Sequence, residues 1–369
     1  MKKLYLKNLE DEKLQFDFIS FIRFPLMVGV VFIHAWIFKV NGTDLFDYHY
    51  FHGTPIVSNS IYPIYTVFAH IFSQIIPRIS VPLFFFISGF LFFLKSDSFS
   101  FSQYKQKIHR RVRSILIPYI IWNLLAVFFY IVKKNMAGES CDLALTDWIL
   151  AFWNFKGMYT PACLPFWFIR DLMVLFILSP IIYKAIKVLR VYALLILTGC
   201  WLSLFWVHLF ELNCISVYFF TLGAYASINH VNFIYIAHQC SLWCKVIFLL
   251  SGFGILFSMQ YDWSVYLLNI NILAGLICCI DLVSSLIRAN KCKVNHFLES
   301  STFFVFAFHI ILLDILVNWV GKIAIPQSDL ALILVYIAIP TFTVLTCLFV
   351  FYFLQKFFPR MTAVITGGR

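Results

Sequence analysis

Ten stretches of near-continuous apolar sequence follow one another along the chain, at about 17–38, 71–94, 114–133, 165–187, 191–208, 214–229, 242–260, 263–287, 302–320 and 330–356. A run of about 20 apolar residues matches the hydrocarbon thickness of a bilayer. Backbone inside lipid must satisfy its own hydrogen bonds, and a helix does so within one segment. The expected fold is therefore an all-α integral membrane protein, a single polytopic domain over residues 1–369 built as a bundle of about ten transmembrane helices. The run at 214–229 is the shortest, and that at 302–320 is also short. No appended soluble domain, internal repeat or low-complexity tract is expected. Residues 5–15 are polar and charged, and no small-residue cleavage site follows the first run, so that run reads as a retained span rather than a signal peptide.

Charge supports this reading and sets its orientation. Only 12% of the residues are charged and 62% are hydrophobic, whereas a soluble domain is about a quarter charged. A net charge of +11 would suit a nucleic-acid partner, but the basic residues lie mostly in short segments between apolar runs, as membrane topology requires. No nucleic acid is expected. With a cytoplasmic N-terminus, 20 of the 28 Lys and Arg residues fall on the inner side and 5 on the outer side; Arg23, Arg78 and Arg170 lie within spans. An even number of spans then places both termini in the cytoplasm. Two long segments, about 40–70 and 134–164, face outward. The ten cysteines show neither a CxxC pair nor Cys/His metal spacing, and no metal is expected. Cys240/Cys244 and Cys278/Cys279 read as apolar filler. Cys141 and Cys163 share the outer 134–164 segment, where an oxidising compartment would allow a disulfide; two unpaired cysteines is the favoured reading.

Within the first run, the stretch Phe21 to Trp36 is apolar except for Arg23 and His34. Each ionisable group in a bilayer costs roughly 2.5–3.5 kcal/mol on insertion scales, so two on one helix need a reason. At 100° per residue their spacing closes to within about 20° of three full turns, which puts both on one face, ~16 Å apart along the axis. Singly, Arg23 reads as snorkelling to the cytoplasmic interface, and His34 as an interhelical hydrogen bond. Together they mark a polar path through the bundle.

Five motifs in chain order carry a family resemblance: Arg23 and His34 in the first span, SVPLFFFISGFLFF (80–93), RRVRSILIPY (110–119), PFWFIRDLMVLF (165–176) and SSTFFVFAFHIILLD (300–314). Over roughly residues 16–320 the chain resembles the membrane acyltransferase-3 family, which has ten core spans. The resemblance implies transfer of an acyl group, acetyl by default, from cytoplasmic acyl-CoA as donor substrate, with no bound cofactor. The acceptor it implies is a hydroxyl on a cell-envelope or lipid-linked glycan. It implies a multi-pass protein of the bacterial inner membrane, in contact with membrane lipid. The chain ends soon after its tenth run, so the stand-alone form, without an extracytoplasmic hydrolase-like domain, is expected.

The residues suit that chemistry. O-acylation needs a base for the sugar hydroxyl, and a histidine near neutrality serves. His34 is the candidate, as general base or as carrier of an acyl-histidine intermediate. Arg23, always charged and rich in donors, would hold the pantetheine arm or a phosphate. Arg110, Arg111 and Arg113 precede the third span on the inner side. They read as a site for the CoA phosphates, or simply as positive-inside topology. Trp167, Arg170 and Asp171 near the outer end of the fourth span read as an acceptor-sugar pocket, or as a salt bridge fixing helix packing. His309 in the ninth span is expected to line the central cavity, since intramembrane ionisable groups avoid lipid. Asp314 does not share its face. Arg78 reads as interfacial; Asn269, Asn271 and Asp281 as structural polar contacts; Ser88-Gly89 as a site of close helix packing. The rival class is a transporter or flippase of lipid-linked sugars, disfavoured by the lack of an internal repeat. A receptor or scaffold is disfavoured by the polar residues inside the spans.

Overall fold

The computed structural model describes residues 9–40, 42–94, 100–206, 211–322 and 328–368. Lys95, Arg369 and the lysines at 2, 3 and 7 of the inner basic set lie outside them. The described chain is a helical bundle. Helix α1 (Leu9–Ile33) is followed by two antiparallel hairpins, β1 (Lys39–Val40) with β2 (Thr43–Asp44) and β3 (Asp47–Phe51) with β4 (Thr54–Ser58). Among the described residues these four are the only strands, and they fall in the segment at about 40–70. Its last part is already helix: α2 (Pro63–His70), a π turn (Ile71–Ile75), a 3-10 turn (Pro77–Ile79) and α3 (Ser80–Phe93) run on as one 31-residue helix. Helix α4 (Phe101–Arg111), a second π turn (Val112–Leu116) and α5 (Ile117–Met136) likewise form one long rod. Ser100 caps it by accepting a hydrogen bond from the Gln103 amide.

The short helix α6 (Leu145–Leu150) lies in the 134–164 segment. Next come α7 (Trp167–Ile177) and α8 (Ser179–Leu189), which bend by 65° at their junction. Pro180 is the second residue of α8, where its missing N–H cannot continue the ladder of α7. Then follow α9 (Val191–Leu202), α10 (Cys214–Ile228), α11 (Phe233–Phe257), α12 (Ser264–Arg288), α13 (His296–Val320), α14 (Asp329–Phe357) and α15 (Pro359–Thr366). Among the described residues seven helices are long and apolar enough to cross a membrane, and the bent pair makes an eighth. The fifth and sixth predicted runs are helical as α9 and α10, but with 12 and 15 residues they are too short to span a bilayer unaided.

Two glycines set the tightest crossing. A Cβ on Gly89 of α3 would overlap the Phe220 carbonyl oxygen of α10, and a Cβ on Gly223 would overlap that of Phe86. Ser88-Gly89 thus meets a small residue on the opposing helix, the arrangement that lets membrane helices approach closely. Around this crossing the core is built of phenylalanine: Phe85, Phe86, Phe92, Phe93, Phe219 and Phe220 are all buried. All ten cysteines are free, and the Cys163 thiol is buried against the Ala307 carbonyl at 3.8 Å.

Candidate active site

Helix α1 ends at Ile33, one residue before His34, where the predicted span continued to 38. The end is held from outside the helix. Tyr336 Oη donates to the Phe32 carbonyl at 3.1 Å, and Tyr65 Oη accepts from the Ile37 amide at 3.0 Å. Trp36 Nε1 donates to Ser73 Oγ within the first π turn. His34 is therefore fixed at a helix terminus by groups from α2, the π turn and α14.

Arg23 and His34 open into two different cavities. The Arg23 cavity, about 540 Å³, is lined also by Ser88, Arg111 and Glu299. Glu299 Oε1 accepts from Arg23 Nη1 at 3.2 Å, and the Arg111 guanidinium lies 5.1 Å from the Phe176 ring centroid. Arg110 and Arg113 are exposed and do not line this cavity. Of the three predicted basic residues the fold brings Arg111 to Arg23; the π turn that follows it shifts the helix phase at this point.

The His34 cavity, about 660 Å³, is lined by Trp36, Trp167, Trp201 and Trp206 among its aromatic walls, and by Arg78, Asn213 and Asn269 among its polar ones. The tip of the β3–β4 hairpin, His52 to Pro55, forms part of its wall. His52 and Gly53 have φ of 47° and 74°, the pattern of a two-residue turn with both central residues left-handed. The hairpin is anchored by the Val57 amide to the Met259 carbonyl at 2.9 Å and by His49 to Asp262 at 2.7 Å. Arg78, expected at the interface, instead reaches inward. Its Nε donates to Gln74 Oε1 at 2.7 Å and its Nη2 to the Gly53 carbonyl at 3.1 Å. Sequence reasoning placed Arg78 at the interface and did not single out Trp201 or Trp206.

The two cavities share Val30, Val81, Phe168 and Phe306, which form the wall between them. Phe168 and Phe306 meet edge to face at 5.9 Å. Behind His34 lies His309, fully buried, with ring centroids 5.7 Å apart. His309 Nδ1 is 2.8 Å from the Phe306 carbonyl and 3.1 Å from that of Val305. Carbonyls only accept, so Nδ1 carries the hydrogen and Nε2 keeps its lone pair. That Nε2 has no hydrogen-bond partner among the described residues.

Trp167 lines the His34 cavity, but Arg170 and Asp171 do not. They are 1% and 0% exposed and pair at 3.0 Å. Arg170 also donates to the carbonyls of Trp153, Tyr159 and Glu211 at 2.9–3.0 Å. Asp171 Oδ2 accepts from the Asn213 amide and from Ser216 Oγ. The pair thus ties two connecting segments to α7 from behind the cavity, which Tyr159 and Asn213 line from the front. Asn269 donates to the Trp201 carbonyl, Asn271 to that of Phe248, and Asp281 pairs with Lys245 at 2.9 Å. Among the described residues no three His, Cys, Asp or Glu side chains gather closely enough to hold a metal ion.

A family model described as an acyltransferase domain matches residues 16–353, a stretch that contains both cavities. The succinoglycan biosynthesis protein ExoH of Rhizobium meliloti (strain 1021) is 28% identical over 171 residues, covering 42% of this chain and 42% of that protein. The chain therefore matches less than half the length of this curated relative. No solved structure matches the chain. With a match that runs from the first span to the last, the chain belongs to the acyltransferase-3 family.

Proposed function

We propose that the protein moves an acyl group, acetyl in the simplest case, from cytoplasmic acyl-CoA to a hydroxyl of a cell-envelope or lipid-linked glycan. The observation that carries this reading is the pair of cavities meeting at one wall, with Arg23 and Arg111 in the first and His34 in the second. In this account the Arg23 cavity opens to the cytoplasm, as do both chain termini. Arg23 and Arg111 hold the phosphates of CoA, which guanidinium groups bind with fixed geometry. The pantetheine arm passes the wall of Val30, Val81, Phe168 and Phe306. The Arg23–His34 separation, ~16 Å from helix rise, is of the order of that extended arm.

In the His34 cavity the tryptophans offer flat faces for sugar rings, and Asn213 and Asn269 offer amide groups. His34 takes the proton of the acceptor hydroxyl while its oxygen attacks the thioester carbonyl. The tetrahedral intermediate collapses, the C–S bond breaks, and His34 returns the proton to the departing thiolate. The products are the glycan ester and free CoA. His309 acts through His34 as a positioning residue. Its bare Nε2 is an acceptor for the N–H on the ring nitrogen of His34 turned away from the substrate, which becomes a stronger donor when His34 is protonated, and its own Nδ1–H is held by backbone carbonyls. The name of the relative places ExoH in succinoglycan biosynthesis, which suits a polysaccharide acceptor here.

Membranes carrying the protein, supplied with labelled acetyl-CoA and envelope polysaccharide, test this reading. Label moving into alkali-labile ester on the glycan supports it. Indifference to acetyl-CoA, combined with movement of a lipid-linked sugar across the bilayer, would replace it with transport.

A further inference from the structure

Three arginines lie within the predicted spans, and the fold treats one of them differently. Arg23 has Glu299 at 3.2 Å and Arg170 has Asp171 at 3.0 Å. Arg78 has no carboxylate partner among the described residues. Its Nε and Nη2 are held by the Gln74 side-chain oxygen and the Gly53 carbonyl, both neutral acceptors. Its Nη1 makes no hydrogen bond to the described residues. Among the described residues the cavity that Arg78 faces is lined by no Asp or Glu, whereas His34 and His52 line it beside Arg78.

A guanidinium stays charged in proteins, and a charge removed from water is costly unless it is paired. Gln74 and Gly53 fix the direction of the group without neutralising it. The position is thus built to hold a cation still and leave its charge unspent. We infer that the His34 cavity binds an anionic group, a carboxylate or a phosphate, on Arg78 while the acyl group is transferred. The inference rests on the proposed acyl transfer and narrows its substrate. The anion belongs either to the glycan, as a uronate or phosphate beside the reacting hydroxyl, or to the acyl chain, as a terminal carboxylate. Either would orient its molecule against His34, which lines the same cavity.

The test uses the full-length protein in nanodiscs and reads the tryptophans of the cavity. Cellobiuronic acid and cellobiose are titrated by fluorescence, and glutaryl-CoA is compared with acetyl-CoA in the same way. An anion on the glycan predicts that cellobiuronic acid binds at least tenfold more tightly than cellobiose. An anion on the acyl chain predicts the same advantage for glutaryl-CoA over acetyl-CoA. In either arm the advantage disappears in Arg78→Gln and is partly kept in Arg78→Lys, with both variants eluting as monodisperse folded protein. No charge preference in either arm overturns the inference, as does a preference that survives Arg78→Gln. Binding needs no turnover, so the two readings fail separately. Charge preference without acyl-CoA consumption contradicts acyl transfer alone, and consumption without charge preference contradicts the anion site alone.

Discussion

The imidazole rings of His34 and His309 lie with centroids 5.7 Å apart and planes tilted by 40°, one ring lining a cavity and the other sealed behind it. The backbone carbonyls of Val305 and Phe306 fix Nδ1 of His309 as a donor, so the Nε2 lone pair is the only polar feature His309 has left to offer.

That arrangement predicts a division of effects. His309→Leu, which keeps bulk and removes the acceptor, lowers kcat by about ten- to a hundredfold, within the range of general-base contributions. KM for acyl-CoA changes by no more than about twofold, because an interaction made only in the transition state is lost from kcat. His309→Gln restores part of the rate, its side-chain oxygen replacing the lone pair. Steady-state kinetics on the two variants check this; a purely structural histidine would lower yield and leave kcat per folded molecule unchanged.

Arg111→Ala raises KM for acetyl-CoA by about tenfold or more, the loss expected for a charge-assisted contact to phosphate. Arg110→Ala and Arg113→Ala, which alter exposed side chains, each change it by less than about twofold. Arg111→Lys rescues in part, restoring charge without the planar fork. Acetyl-CoA dependence of the three alanine variants, measured side by side, decides whether the cavity or the bare positive charge of the segment matters.

The wall between the cavities predicts a chain-length filter. Val30→Ala with Val81→Ala enlarges the passage, and the ratio of kcat/KM for butyryl-CoA over acetyl-CoA rises by about tenfold, the scale of one to two methylenes in an apolar pocket. Val30→Phe narrows it and depresses both donors. Competition between the two thioesters in one reaction measures the ratio directly.

Asp171→Asn leaves the Arg170 charge buried beside a neutral partner and destabilises the fold by about 3–5 kcal/mol. Arg170→Met combined with Asp171→Leu recovers part of that loss. The thermal midpoint in detergent reports both. An acceptor-binding role for the pair would instead raise the acceptor KM at unchanged stability.

Much of this was readable from the chain alone, for identifiable reasons. The helices were visible because apolar length is dictated by the bilayer rather than by tertiary contacts. Arg23 and His34 stood out because each ionisable group in such a run has a cost that must be offset. What stayed hidden depended on segments distant in sequence. Arg78 reads as interfacial until the Gly53 carbonyl at the hairpin tip is seen to turn it inward. Arg110, Arg111 and Arg113 are equivalent as letters, and only the rod with its π turn separates the one that faces the cavity. Arg170 and Asp171 suggested a pocket because nothing in their own helix announces the carbonyls of Trp153, Tyr159 and Glu211 that enclose them. The end of α1 before His34 is set by Tyr336 and Tyr65, far along the chain from it.

The account rests most heavily on His34 as the base that meets the thioester. Its most direct test is acetyl transfer from labelled acetyl-CoA to envelope polysaccharide by wild-type protein, His34→Ala and His34→Gln, all inserted at equal levels. The account predicts that both variants lose at least about a hundredfold in kcat while binding acetyl-CoA with unchanged affinity, since Gln keeps a hydrogen bond but cannot take the proton. Near-normal turnover by His34→Gln would contradict it.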